Sequence, residues 1–223
     1  SIPDHIPVIL DFKRGDIGNT AAMYARSAFE HLGVDAVTVN PYLGKDSIEP
    51  FTNYREKGTF VLCLTSNPSS SDIQRQLVIL DDPPEVEDMP PEAKAKKFAE
   101  FFRASTLTLF SYIAGLAIEW NGHDNVGLVV GATSHAELKQ IREKIGEDMP
   151  VLIPGIGAQG GDLEKSVING SNSRGEMAII NVARGIIYAW RNESLFQSEV
   201  RDAAESFRRR IMEAASREIG SSR

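Results

Sequence analysis

Three charged side chains follow the first apolar segment of this 223-residue chain. Asp11 and Lys13 lie two residues apart at the end of the strand predicted over residues 6–10, and side chains with that spacing share one face of a strand. Asp16 follows, before a predicted helix. Two carboxylates around one ammonium at the end of a buried strand are costly to hold unless the charges are paired or used. The sequence therefore predicts either electrostatic and acid–base catalysis here, or a surface ion-pair cluster in which Asp16 or Asn19 caps the helix.

A glycine-rich segment late in the chain matches G-x-G-x-x-G over residues 155–160. That pattern binds dinucleotides when an acidic residue ends the next strand, about 20 residues later. Glu176 is near that distance, but it precedes the strand predicted over residues 178–182 instead of ending it. We therefore expect no nicotinamide or flavin site. The glycines are interpreted as positions where backbone approaches a ligand, and with Arg184 they fit the phosphate end of a barrel.

The elements that must position these residues are short apolar runs alternating with amphipathic segments. Strands are predicted at residues 6–10, 36–39, 59–64, 126–130, 151–153 and 178–182. The helices between them include one long helix over about residues 92–120 and one that begins with a capping box at Ser134 and Glu137. Apolar strands alternating with helices predict a parallel sheet, either open and doubly wound or closed as a (β/α)8 barrel. The count of six strands alone favours the open sheet.

The segment 69–91 interrupts this alternation with Ser, Asp and Pro clusters. Because the alternation resumes afterwards, we predict one domain over residues 1–223 and interpret 69–91 as a long active-site loop or excursion. It is not expected to be a linker between two domains.

Composition and charge narrow the classes of function. The formal net charge is −7, whereas nucleic-acid binding needs a basic surface, so nucleic acid is not an expected partner. No apolar run reaches membrane-spanning length, and no signal-peptide pattern opens the sequence, so we expect a cytoplasmic protein without membrane contact. The single cysteine, Cys63, lies in an apolar run and is expected to pack as a core residue. The four histidines have no metal-ligand spacing, and no metal site is predicted.

Four motifs, in order, resemble those of the orotidine 5′-phosphate decarboxylase family. Every fixed position of the family's D-x-K-x-x-D-I-x-x-T signature is present: Asp11, Lys13, Asp16, Ile17 and Thr20. The segments 65–68, 154–162 and 181–184 are similar to the family's pyrimidine-reading strand end, its P-G-I-G-A-Q-x-G-D segment and its phosphate-gripping strand end. The similarity spans Ile6 to about Tyr188 and is to the longer, mycobacterial and apicomplexan-like members. It implies a (β/α)8 TIM barrel, of which this chain would supply about six βα units, strands three to eight.

The resemblance implies decarboxylation of orotidine 5′-monophosphate to UMP in pyrimidine biosynthesis, without a metal or organic cofactor. Lys13 would stabilise a carbanion-like centre at C6 and then protonate it, while Asp11 would lie near the departing carboxylate and hold Lys13. The implied substrate-binding residues are Ser66 and Gln159 for the base, Pro154 packing on it, and the Ala183 backbone with Arg184 for the phosphate. The family often has Gly or Ser at position 183, so alanine is a mild departure.

The resemblance also implies a homodimer with shared active sites. Asp16, Ile17 and Thr20 would reach into the neighbouring subunit's site. In the family, two βα units precede this signature and carry an Asp for the ribose and a Lys for the charged network, whereas ten residues precede Asp11 here. We therefore expect these 223 residues to be the larger part of a longer chain, or to be accompanied by the missing piece, and we do not assume that they are active alone.

Two alternatives stay open in the sequence. A Mg²⁺-dependent keto-sugar-phosphate decarboxylase of the same suprafamily also uses a D-x-K-x-x-D strand end, with a metal-ligating carboxylate usually on the preceding strand. Ile17, Thr20 and the segment 66–68 favour the pyrimidine enzyme. The second alternative is a truncated, non-catalytic nucleotide-binding protein, against which the three intact charged residues of the signature argue.

Overall fold

The computed structural model describes residues 2–157 and 160–221, without the side chains of 218–221. The strands in this part of the chain are β1 (Ile9–Arg14), β2 (Ala36–Val39), β3 (Gly58–Leu64), β4 (Leu77–Ile79), β5 (Thr106–Thr108), β6 (Val126–Val130), β7 (Val151–Ile153) and β8 (Ala178–Ile180). Six of them form one sheet in the order β1-β2-β3-β6-β7-β8, and every neighbouring pair is parallel. The other two, β4 and β5, form a separate antiparallel ribbon.

Helices connect the parallel strands. They are α1 (Gly18–Arg26), α2 (Lys45–Thr52), α3 (Pro91–Ser105), α4 (Leu109–Trp120), α5 (His135–Ile145), α6 (Leu163–Gly170), α7 (Arg184–Ile187) and α8 (Phe196–Ser221). A π-helical turn over Ser27–His31 extends α1, and 3₁₀ turns cover Pro41–Leu43, Pro68–Asp72 and Glu193–Leu195. Neighbouring strands in sequence are neighbours in the sheet, which is the connectivity of a (β/α)8 barrel rather than of a doubly wound sheet.

The two faces of the sheet differ in what covers them. One face and the helices enclose the main core, whose fully buried side chains include Ile48, Phe51 and Leu128. The opposite face carries a smaller apolar cluster made of Ala36, Phe60, Val129 and Leu152, with Ile9 and Leu62 packed against it. Alternate residues of β1, β2, β3, β6 and β7 point to these two clusters, as the twofold period of a strand requires. The fold is therefore α/β, a six-stranded arc of a TIM barrel, as predicted.

The long helix predicted over residues 92–120 is wrong. The structure has two helices there, α3 and α4, separated by β5. β5 carries two threonines, whose branched side chains favour extended backbone, and it pairs with β4 from the segment predicted as a loop. Residues 68–108 thus form one excursion with secondary structure of its own.

Two local predictions also need correction. The first strand runs over residues 9–14 instead of 6–10, so Asp11 and Lys13 lie within it. Ser134 does precede α5 as its N-cap, but neither Ser134 nor Glu137 makes the predicted capping box. Both side chains instead accept hydrogen bonds from Arg75, which ties the excursion to the start of α5.

No helix in the described ranges has both the length and the apolar character needed to cross a bilayer.

Candidate active site

A cavity of about 440 Å³ opens at the carboxyl ends of the sheet strands, above the smaller apolar cluster. Its lining residues come from all along the arc except β2: Ile9, Asp11, Lys13, Thr65, Ser66, Asn67, Val129, Leu152, Pro154, Ile179, Ile180 and Asn181. The floor is apolar and the polar groups stand at the rim. Barrel enzymes place their chemistry at this end of the strands, because the strand–helix loops that carry the reactive groups converge there.

Asp11 and Lys13 form an ion pair at one side of this cavity. The Lys13 Nζ lies 2.5 Å from the Asp11 Oδ2, and the side chains are 46% and 56% exposed respectively. They project with Ile9 from the same face of β1, as the spacing predicted. The ammonium is therefore both held by a carboxylate and accessible to a ligand in the cavity.

Thr38 of β2 completes this charged group, and the sequence analysis missed it. Its buried hydroxyl donates to the Asp11 Oδ1 at 2.8 Å and accepts the Lys13 backbone N–H at 3.0 Å. The signal available in the sequence was a polar residue inside the otherwise apolar run Ala36–Val39, at a position that faces the same side as Ala36.

The other three residues of the signature lie away from the cavity. Ile17 is the N-cap residue of α1 and is 54% exposed, and Thr20 is exposed on the first turn of that helix. The Asp16 Oδ1 accepts the N–H of Ile17 at 2.8 Å. No side-chain bond caps α1, so the alternative in which Asp16 or Asn19 serves as its cap does not describe this helix.

The end of β3 contributes Thr65, Ser66 and Asn67 to the cavity. Gln74 of the excursion holds this strand end: its Oε1 accepts the Thr65 N–H at 2.7 Å, and its Nε2 donates to the Thr65 hydroxyl at 2.9 Å. Gly131, just after β6, packs directly against Ser66. A Cβ on Gly131 would lie 2.7 Å from the Ser66 backbone nitrogen, so only glycine lets these two strand ends approach so closely.

The glycine-rich segment after β7 is described on either side of residues 158 and 159. Pro154 lines the cavity, and Gly155, Gly157 and Gly160 have φ angles of 101°, 75° and 85°, which side chains disfavour. The Gly161 N–H donates to the Gly155 carbonyl at 3.2 Å, so these two described glycines lie close together. Gln159, the predicted reader of the base, lies outside the described residues.

The predicted phosphate residues lie beyond β8. Asn181 lines the cavity, while Ala183 and Arg184 follow it and are exposed. Arg184 is the first residue of the short helix α7 and does not line the cavity. The structure thus gathers Asp11, Lys13, Ser66 and Pro154 around one space, and Arg184 lies three residues beyond Asn181, which lines it.

Two titratable groups near the site have shifted pKa values. The Asp162 carboxylate caps α6 by accepting the Lys165 N–H at 3.0 Å, and this bond, helped by nearby positive charge, lowers the pKa of Asp162.

Burial raises the pKa of the Cys63 thiol to about 12. Cys63 donates to the Phe110 carbonyl at 3.2 Å inside the core, so it is a packing residue, as predicted, rather than a nucleophile.

The parallel arc with a charged pair at its strand ends has the architecture of barrel enzymes, a class whose active sites lie at the carboxyl face of the sheet. The chain belongs to the family described as orotidine 5′-phosphate decarboxylase / HUMPS, whose model matches residues 2–194.

Individual relatives agree with this assignment. The chain is 43% identical over 216 residues to an orotidine 5′-phosphate decarboxylase of Dehalococcoides mccartyi, covering 94% of this chain and 72% of that protein. It is 43% identical over 211 residues to the enzyme of the same name from Bordetella avium, covering 92% and 68%. The solved structure of Leishmania donovani OMP decarboxylase superposes with a TM-score of 0.71 at 36% identity, covering 94% of this chain and 70% of that one.

Proposed function

We propose that this protein decarboxylates orotidine 5′-monophosphate to UMP, with Lys13 and Asp11 as its catalytic residues. The observation that carries the proposal is the Asp11–Lys13 ion pair at the mouth of an apolar cavity, in a chain of this family. The pyrimidine ring would lie over the floor formed by Val129 and Leu152, with C6 directed at the Lys13 ammonium.

The reaction breaks the bond between C6 and the carboxylate carbon. Carbon dioxide leaves, and the electron pair stays on C6 in the plane of the ring. The Lys13 ammonium stabilises this charge and then donates a proton to C6, and the resulting amine takes a proton from solvent. Asp11 holds the ammonium in place before substrate binds, so little reorganisation is needed when charge develops.

The other residues that bind the substrate contact its base or its phosphate. Ser66 and Gln159 read the base, and Pro154 packs against it. Arg184 and the Ala183 N–H bind the phosphate from the neighbouring strand end, because a guanidinium and a backbone donor suit phosphate oxygens. The excursion, anchored by Gln74 beside Ser66, serves as an active-site lid.

The protein acts as a cytoplasmic homodimer with shared sites. Asp16, Ile17 and Thr20 lie outside their own chain's cavity, and the two residues at the start of α1 are exposed, so they are available to a second copy. The buried, unpaired Cys63 suits a reducing compartment.

Turnover by a lysine variant tests the catalytic assignment. UMP formation from orotidine 5′-monophosphate is measured with the full-length gene product, in EDTA, for the unaltered protein, Lys13→Ala and Lys139→Ala. Lys139 is an exposed lysine of α5 and serves as the matched control. The expected result is EDTA-resistant turnover that Lys13→Ala lowers by several orders of magnitude and Lys139→Ala leaves unchanged.

Several results would overturn the proposal. No turnover by the unaltered protein indicates a non-catalytic nucleotide-binding role. Activity that EDTA abolishes points to the metal-dependent branch of the family. Near-normal activity of Lys13→Ala would show that Lys13 is not a catalytic residue.

Mixing two inactive variants tests the shared site. Dimers formed between Lys13→Ala and Asp16→Ala subunits would contain one site with both residues intact, and random mixing restores about a quarter of all sites. Recovered activity is expected after the two proteins are unfolded and refolded together. A mixture as inactive as its components would show that Asp16 serves its own subunit or none.

A further inference from the structure

Lys13 has a backbone conformation that its residue type disfavours. Its φ is 50°, in the left-handed region, which is strained for a residue other than glycine and persists only where neighbouring groups enforce it. The register between β1 and β2 shifts between Leu10 and Arg14, so the strand is irregular where it carries the lysine. Something outside β1 must hold this geometry.

The Thr38 hydroxyl is the group in contact with both charged residues. It accepts the Lys13 N–H at 3.0 Å and donates to the Asp11 Oδ1 at 2.8 Å. An ionised carboxylate can only accept, so the hydroxyl proton must point to Asp11 and its lone pair is left for Lys13. The other carboxylate oxygen, Oδ2, contacts the Lys13 ammonium. A single buried hydroxyl therefore connects the backbone of the lysine to the carboxylate that holds its side chain.

We propose that Thr38 is a positioning residue for the decarboxylation, acting through Lys13 and Asp11 without touching the substrate. Its hydroxyl fixes the left-handed backbone of Lys13 and the orientation of the Asp11 carboxylate, and together these aim the ammonium at the position of C6. The inference rests on the proposed function. Catalysis by a prearranged charge is sensitive to small displacements, so loss of this hydroxyl lowers kcat more than it weakens binding.

The structure offers a matched control for a threonine-to-valine exchange. Thr59 is fully buried on the neighbouring strand β3, and within the described ranges its hydroxyl has no hydrogen-bond partner. Thr38→Val and Thr59→Val make the same change of atoms at similar depth, but only the first removes two bonds from the charged group. A loss of kcat caused only by placing a methyl group where a buried hydroxyl was would appear in both variants, whereas a loss caused by the two bonds to the charged group appears only in Thr38→Val.

The experiment compares Thr38→Val, Thr38→Ser and Thr59→Val in the full-length protein. We measure kcat and KM for orotidine 5′-monophosphate, the Kd of UMP and the unfolding midpoint. Thr38→Val is expected to lower kcat about 10- to 100-fold, with KM and the UMP Kd within about threefold of the unaltered values. Thr38→Ser should recover most of the lost kcat, and Thr59→Val should keep it.

The outcomes separate this inference from the function on which it rests. Normal kcat in Thr38→Val, a rise in KM alone, or equal losses in the valine and serine variants would overturn the role of Thr38 while leaving that of Lys13 intact. Absence of turnover in the unaltered protein would overturn the proposed function itself. If Thr38→Val fails to fold, Thr38→Cys takes its place, because a thiol is a weak donor and acceptor. Equal kcat in the cysteine and serine variants would then refute the inference.

Discussion

The two halves of the sheet differ in whether side chains or backbone make the contacts around the cavity. In the first half, β1 to β3, side chains make the important contacts. Asp11, Lys13 and Thr38 are linked by short contacts that cross from one strand to the next. In the second half, β6 to β8, glycines follow the ends of β6 and β7, and the close contacts of Gly131 and Gly161 there are made with backbone.

This difference corresponds to two physical tasks. A group that stabilises charge in the transition state must be oriented before the charge develops, and buried cross-strand bonds provide that orientation. A wall that surrounds a ligand must instead allow close approach, and residues without a Cβ permit it. We therefore expect changes in the first half to affect kcat, and changes in the second half to affect KM or stability.

The largest effect after that of Lys13 is expected for Asp11→Asn. The amide can still accept the Thr38 proton but no longer carries the charge that pairs with the ammonium. We expect kcat to fall about 10²- to 10³-fold, with a smaller change in KM. Steady-state kinetics measures both, with Asp148→Asn on the exposed surface as the control. A loss confined to KM would place Asp11 in binding and contradict the division between the halves.

Arg184→Ala is expected to have the next largest effect, and on a different constant. Removing one guanidinium from a phosphate site should raise KM about 10- to 100-fold. The control is Arg209→Ala, an exposed arginine on α8. Arg184 does not line the cavity in this structure, and an unchanged KM would mean that the phosphate is bound by other residues.

Within the first half of the sheet, only part of the charged group could be predicted from the sequence. The pair Asp11 and Lys13 could be predicted, since two-residue spacing on a strand determines which side chains meet. The bonds of Thr38 could not: a polar residue in an apolar strand marks the position, but its partners depend on the register between β1 and β2, which no local pattern specifies.

For the fold, the six parallel strands were predictable from apolar runs between helical segments. The division of residues 92–120 into α3, β5 and α4 was not. Thr106 to Thr108 becomes a strand only because Leu77 to Ile79 lies beside it, and that partner is distant in sequence. The Arg75 contacts that replace the predicted capping box are non-local for the same reason.

Gly131→Ala tests the claim that the second half works by close approach. The added methyl carbon would lie 2.7 Å from the backbone nitrogen of Ser66, so the end of β3 must shift. We expect a loss of about 1–3 kcal/mol in the free energy of unfolding, and a rise in KM of several fold as Ser66 moves. Gly122→Ala is the matched control, because nothing lies within 4 Å of its added carbon. Equal stability and KM in the two variants would refute the argument.

The smallest effect is expected for changes at the N-terminus of α6, the helix that follows the glycine-rich segment. Asp162→Ala removes the N-cap of α6 and should cost about 1 kcal/mol at neutral pH, whereas Asp162→Asn should cost little, because its side-chain oxygen still accepts the Lys165 N–H. The pKa of Asp162 is lowered in the folded protein, chiefly by that N–H. The charge therefore stabilises the fold above the ordinary value of 3.8, and the stabilisation is lost as pH falls through the lower folded pKa.

Urea unfolding at neutral and acidic pH measures this dependence. The gap in unfolding free energy between the unaltered protein and Asp162→Ala should narrow as the pH falls below 3.8, while the gap between the asparagine and alanine variants should stay constant. A gap of equal size at both pH values would mean that the Asp162 charge contributes nothing. The side-chain oxygen would then stabilise the helix as a hydrogen-bond acceptor alone, as it does in the asparagine variant.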